Sequence, residues 1–241
     1  MRYKKARYCP ENIVISFAGG IDKQTAEALV ETYFGDLEKG CFEKRTPLIK
    51  TMHKSLVKNK PIEQMHIAIA YPCLPRGDER EDYVSALNGI LGGSMSARLF
   101  QEVREKLGLA YSVYSYVSAF EECATQNIYA GVNPTNAIQA YEAICEVVKT
   151  MKKGGITQDE FLRSREQMKS GMLFSSESSN TQMLLYGKYM LYNDKVFNFE
   201  EKLEKINAMT YDKAQEVLSV LFNEQEKALA LVGNTDTTLL F

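Results

Sequence analysis

Leu91-Gly-Gly-Ser-Met-Ser-Ala-Arg98-Leu-Phe-Gln-Glu-Val-Arg104-Glu-Lys-Leu-Gly108-Leu-Ala-Tyr111-Ser-Val-Tyr-Ser115 decides how the rest of the chain is read. Gly92-Gly93 forms a turn that opens an amphipathic helix, Gly108 closes the helix, and the strand that follows places Tyr111 seven residues after Arg104. Downstream, Leu109 to Ala119 and Cys123 to Val132 alternate in hydropathy around a short turn at Phe120-Glu121-Glu122, the pattern of a hairpin. Upstream, Lys50 to Val57 and Glu63 to Tyr71 alternate as strands, with Met65, Ile67 and Ile69 opposite His66, Ala68 and Ala70. Pro72 to Gly77 breaks that strand, and Asp78 to Leu91 reads as a helix.

Beyond the hairpin the pattern turns helical. Pro134 starts a helix through Lys152 that Gly154-Gly155 ends, and Thr157-Gln-Asp-Glu160 is a capping box for a long helix to about Ser175. Helices are expected over about 179–192, 198–207 and 211–223, and a last strand over Lys227 to Val232, ending at Gly233. Strands that alternate with helices but include a hairpin predict an α+β fold: a mixed, largely antiparallel sheet covered by helices.

The first residues repeat the texture of the last. Asn12 to Ala18 reads as a buried strand with Gly19-Gly20 as its turn, and Asp22 as the N-cap of a helix over 23–38, whose Ala26, Leu29, Val30, Tyr33 and Phe34 form one apolar face. A single strand and helix cannot bury that face alone. Gly40 to Pro47 reads as a linker. The expected division is 1–47 as the tail of one domain plus linker, and 48–241 as a complete second domain.

With 45% apolar residues in 241, the chain has ample material for a core. A formal charge of −2, with Lys and Arg interleaved among Asp and Glu, lacks the footprint of a nucleic-acid binder. No apolar run reaches the roughly 18–20 residues of a membrane span, and no secretory signal follows Met1, so a cytoplasmic protein without membrane contact is expected. Five scattered cysteines without a Cys-x-x-Cys pair suit reduced thiols.

Gly92-Gly93, Arg98-Leu-Phe100, Arg104-Glu105, Gly108-Leu-Ala-Tyr111 and Ser112-Val113 together resemble the C-terminal-domain signature of the pitrilysin, insulysin and mitochondrial-processing-peptidase family (M16-type) of zinc metallopeptidases. The resemblance covers nearly the whole chain and is densest over 88–117. It implies two similar α+β domains in tandem, with Tyr8 to Gly19 as the last strand of the first and 48–241 as the whole of the second. It further implies that Arg104 and Tyr111 reach the peptide being cut, where a cation and a phenol beside the carbonyl oxygen stabilise developing charge. The chain would then be the C-terminal half of a zinc-dependent endopeptidase, a chamber wall, inactive until the zinc-bearing half or a homologous subunit joins it. An oligopeptide or unfolded polypeptide is the implied substrate, and self-association is the other assembly expected. The alternative is a non-catalytic peptide-binding or subunit-assembly module of the same fold.

Taken residue by residue, plainer roles are available. Arg104 complements the negative end of its helix, Tyr111 packs as the first large residue of a strand, and Arg98 suits a salt bridge between helices. The family's catalytic zinc requires His-x-x-Glu-His and a downstream Glu. Here the two histidines, His53 and His66, stand thirteen residues apart, so no cofactor is expected on this chain and zinc is assigned to the missing half.

Overall fold

The alternating runs become β1 (Ser55–Asn59), β2 (Met65–Cys73), β3 (Ala110–Ala119), β4 (Ala124–Val132) and β5 (Ala228–Gly233), seen in a computed structural model that describes residues 2–40 and 54–234. They form one sheet in the order β1-β5-β2-β4-β3. β1 and β5 run parallel, while β5-β2, β2-β4 and β4-β3 are antiparallel, so the sheet is mixed and largely antiparallel as expected. Ile67 lies opposite Leu231 and Ala130, and Ile69 opposite Leu229 and Ile128, and all six are buried. Each such large side chain contributes about 1.5–3 kcal/mol by leaving water. On the opposite, open face Leu56, Ala68 and Tyr114 stand exposed among the described residues.

Helices α3 (Glu81–Gly92) and α4 (Ala137–Gly154) bring Leu87, Leu91, Ile144 and Met151 into this core, with at most 1% exposure each. Gly155 takes φ 74° and stops α4 where the sequence places its end. The capping box closes as read: the Thr157 amide donates to Glu160 Oε2 at 2.7 Å and the Glu160 amide to Thr157 Oγ1 at 3.2 Å, opening α5 (Gln158–Ser176). α6 (Ser179–Asn193), α7 (Phe199–Asn207) and α8 (Tyr211–Val220) follow.

The chain divides into two compact units, residues 48–167 with 206–241 holding the sheet, and residues 1–47 with 168–205 forming the other. The second of these contains α1 (Arg2–Arg7), α2 (Lys23–Phe34) and α6. Among its described residues only Cys9 and Phe197 are buried apolar side chains, Phe197 meeting Tyr186 and Tyr189 edge-on at 6.1 and 5.3 Å.

Several expectations need correction. Asn12 to Ala18 is not a buried strand: Pro10–Asn12 is a short 3-10 turn, and Ile13 to Ala18 pairs with no strand among the described residues. Val14, Ile15 and Phe17 are 36–43% exposed. A backbone edge without a neighbour has nothing to make it a strand. Asp22 does cap α2, accepting from the Thr25 amide at 2.9 Å, but the helix ends at Phe34, before Gly35, rather than at residue 38, and buries none of its apolar face. Pro72 does not break its strand. It stands in β2 opposite Thr125, beyond the last residue that β5 pairs, so on the β5 side there is no ladder for the missing N–H to interrupt. α3 begins at Glu81 because Asp78 accepts from the amide and guanidinium of Arg80 in a preceding turn. α8 stops at Val220, before Phe222 at φ 57°. Cys41, the 41–47 part of the linker and His53 lie outside the described residues.

Candidate functional site

Arg104 belongs to a wide-wound segment, Phe100–Lys106, in which the Leu107 amide reaches back five residues to the Glu102 carbonyl at 3.2 Å. This π-winding takes in one more residue per turn than an α-helix, and such turns concentrate at functional sites. Val103 is fully buried while Arg104 faces solvent, its guanidinium 4.8 Å from the centre of the Phe100 ring. Among the described residues it has no carboxylate partner. Gly108, at φ +62°, turns the chain out of the helix, a conformation that a side chain would strain.

Tyr111 is the next irregularity. Ala110 pairs with Val132 and Ser112 with the adjacent Gly131, which leaves Tyr111 as the extra residue of a bulge. Bulges redirect side chains, and this one leaves Tyr111 59% exposed at the head of β3. Arg104 and Tyr111 are therefore both solvent-facing, on either side of the buried pair Leu109 and Ala110. No hydrogen bond joins them among the described residues.

Arg98 has the opposite fate. Its guanidinium donates twice to Glu160, Nε to Oε1 and Nη2 to Oε2, both at 2.7 Å, and again from Nη2 to the Gly155 carbonyl at 3.0 Å. Both side chains are about one-fifth exposed. Burial raises the Glu160 pKa, but the Arg98 hydrogen bonds and the Thr157 amide outweigh it and hold the carboxyl below the usual glutamate range. The salt-bridge reading of Arg98 is the one the geometry supports.

Sequence reasoning missed the buried polar tie beneath this stretch. Asn88 Oδ1 accepts from Ser115 Oγ at 2.8 Å and from Gln126 Nε2 at 2.7 Å, linking the end of α3 to β3 and β4. Gly92 is part of the same fit, since a Cβ there would lie 2.7 Å from the Ser115 amide nitrogen. The available signal was a polar residue at inward-facing strand positions 115 and 126, which needs the register to be recognised. A cavity of about 610 Å³ opens elsewhere, between the signature helix and α4, lined by Arg98, Glu102, Leu107, Ala143, Glu146 and Val147 among others.

No group of three or more His, Cys, Asp and Glu residues is placed to hold a metal among the described residues. His66 Nδ1 lies 2.7 Å from the Tyr129 hydroxyl, with no other histidine described, so this donor set does not fit a catalytic zinc. Likewise, no described helix is long and apolar enough to cross a membrane.

The family profile described as the peptidase M16 inactive domain matches residues 1–168. The chain belongs to this family. An uncharacterized zinc protease of Bacillus subtilis, YmxG, is 40% identical over 96% of the chain and 56% of its own length, and another from Streptomyces coelicolor is 31% identical over 96% and 52%. The M16 chain thus spans about half the length of the curated relatives it matches. In solved structures, the peptidase M16 inactive domain from Pseudomonas fluorescens superposes at TM-score 0.79 and 22% identity, over 92% of this chain and 54% of that one. A protease from Helicobacter pylori does so at 0.74 and 22%, over 89% and 54%. These two likenesses carry the fold.

Proposed function

We propose that this M16 inactive domain is the C-terminal half of a zinc-dependent endopeptidase and offers Arg104 and Tyr111 to an extended peptide. The observation that carries the reading is the placement of both residues on backbone irregularities, solvent-facing, without a polar partner among the described residues that would give them a structural task. A fixed cation and a phenol O–H aimed at a carbonyl oxygen stabilise charge that develops there without reorganising. Zinc and the base belong to the absent half, in keeping with the donor set above and with the zinc-protease names of relatives about twice as long. The apolar face of α2, with Leu29, Tyr33 and Phe34 each at least 39% exposed, is the surface that half covers. In its absence the same face drives self-association. Four free thiols among the described residues, Cys9, Cys73, Cys123 and Cys145, suit a cytoplasmic setting.

The test reconstitutes the chain with a zinc-bearing half and compares Arg104→Ala and Tyr111→Phe with wild type. Each lowers kcat on a quenched fluorescent peptide by about 10²–10³, with zinc content and thermal stability unchanged. The chain alone turns over no peptide. Full activity in both variants, or loss only through unfolding, would assign the pair to structure and favour the non-catalytic module.

A further inference from the structure

The open face of the sheet is not uniform, and its register shows how. One row across it reads Leu56, Ala230, Ala68, Tyr129, Tyr114, from β1 to β3. The row beside it reads Lys58, Val232, His66, Gly131, Ser112. Alanines on the two middle strands therefore form a low floor. Leu56, at 57% exposure, borders it on one side, and Tyr129 with Tyr114 borders it on the other, the two rings 5.1 Å apart. The His66–Tyr129 contact steadies the aromatic wall. Such a floor and wall fit one flat side chain, since the small alanines leave room for a ring and the neighbouring rings can pair with it in an offset or edge-to-face arrangement.

Charge selects the rest. Lys54, one residue before β1, and Lys58 flank Leu56 on this face, both are exposed, and neither joins an ion pair among the described residues. No Asp or Glu occupies the open-face positions of the five strands. The two lysines stand four residues apart, about 13 Å along an extended strand. An extended peptide repeats that spacing between its own positions n and n+4, with n+2 on the same side.

We infer that this trough is a specificity subsite for an extended peptide of the pattern acidic-x-aromatic-x-acidic, the aromatic ring on the alanine floor and the carboxylates on Lys54 and Lys58. The inference rests on the peptide-gripping reading above and adds the sequence class that is gripped.

Fluorescence anisotropy of the full 241-residue chain with a labelled octapeptide containing Glu-Ser-Phe-Ser-Glu tests it. Replacing the peptide Phe by Ala should weaken binding about 5- to 10-fold, the value of an aromatic contact. Ala68→Leu should fill the floor and abolish that preference with an unchanged circular dichroism spectrum. Lys54→Ser with Lys58→Ser, at exposed positions that cannot unfold the chain, should remove most of the salt dependence between roughly 0.05 and 0.5 M. Binding that ignores the peptide's Phe and Glu residues, or an Ala68→Leu variant with intact preference, overturns the trough and leaves the gripping reading standing. Failure of acidic, neutral and basic peptides alike to bind overturns both.

Discussion

Two stretches of similar hydropathy meet opposite ends in this chain. Asn12-Ile-Val-Ile-Ser-Phe-Ala18 and Lys227-Ala-Leu-Ala-Leu-Val-Gly233 are both short, apolar, β-prone and followed by a glycine or polar turn. The second becomes β5, hydrogen-bonded on both sides, with Leu229 and Leu231 no more than 4% exposed. The first makes no ladder among the described residues, and Val14, Ile15 and Phe17 stand at least 36% exposed. The unpaired stretch carries the stronger strand formers, Ile13, Val14, Ile15 and Phe17, and only the neighbours favour the other, so strand formation here is a property of the partner rather than of the segment. The two compact units repeat that contrast at larger scale, one built around a continuous core and the other with two buried apolar side chains among its described residues.

The contrast is open to attack at several strengths. Leu231→Ala, in the partnered strand, should cost about 3–4 kcal/mol in urea denaturation, because a cavity opens in a packed core. Ile15→Ala in the unpartnered stretch should stay within about 0.5 kcal/mol. Equal losses would break the comparison. On adding a zinc-bearing half, the Ile15→Ala penalty should rise toward the value of a core residue, which would sharpen it.

A smaller effect is expected from Glu160→Gln, about 2–3 kcal/mol at neutral pH, because it strands the Arg98 guanidinium. The sign of its pH dependence follows from the lowered pKa of Glu160. A carboxyl depressed in the folded state stabilises above the usual glutamate range and loses that contribution as pH falls through its folded value. The gap between wild type and variant should therefore close in acid. A gap that widened there would refute the ion pair as the source. Smaller again, Gly92→Ala should cost about 1–3 kcal/mol through the clash with the Ser115 backbone, which has little room to move. Thermal melts of this variant at or above wild type would mean that the turn is loose.

Much of the fold was legible because it is written in local signals. Gly155 and the Thr157–Glu160 box mark their helix boundaries chemically, and the alternation of 109–132 allows only a hairpin. Arg98 was readable as a salt bridge between helices because a long cation on a packed helix needs an acidic partner, but that the partner is Glu160, 62 residues on, was not. The parallel pairing of β1 with β5 was not legible, since it joins residues some 170 positions apart. Nor was the winding around the candidate site. A π-turn and a bulge leave hydropathy unchanged and arise only when tertiary packing, here the buried Val103 and the Asn88–Ser115–Gln126 tie, fixes where the chain must enter and leave. Arg104 and Tyr111 were found through a resemblance, and no propensity would have singled them out.

The wide turn at Phe100–Lys106 and the bulge at Tyr111 each absorb a residue that a regular helix or strand would not hold. Together they act as slack in a ruler. The number of residues between the arginine and the tyrosine sets which way each side chain points, while the core beneath takes Val103, Leu109 and Ala110 and leaves 105–108 outside it. Deleting one residue from Glu105 to Leu107 would let the turn rewind to an ordinary helix without emptying any buried position. This stretch should therefore accept many substitutions yet tolerate no change in length, a fault that a folding assay would pass and only a peptide would detect.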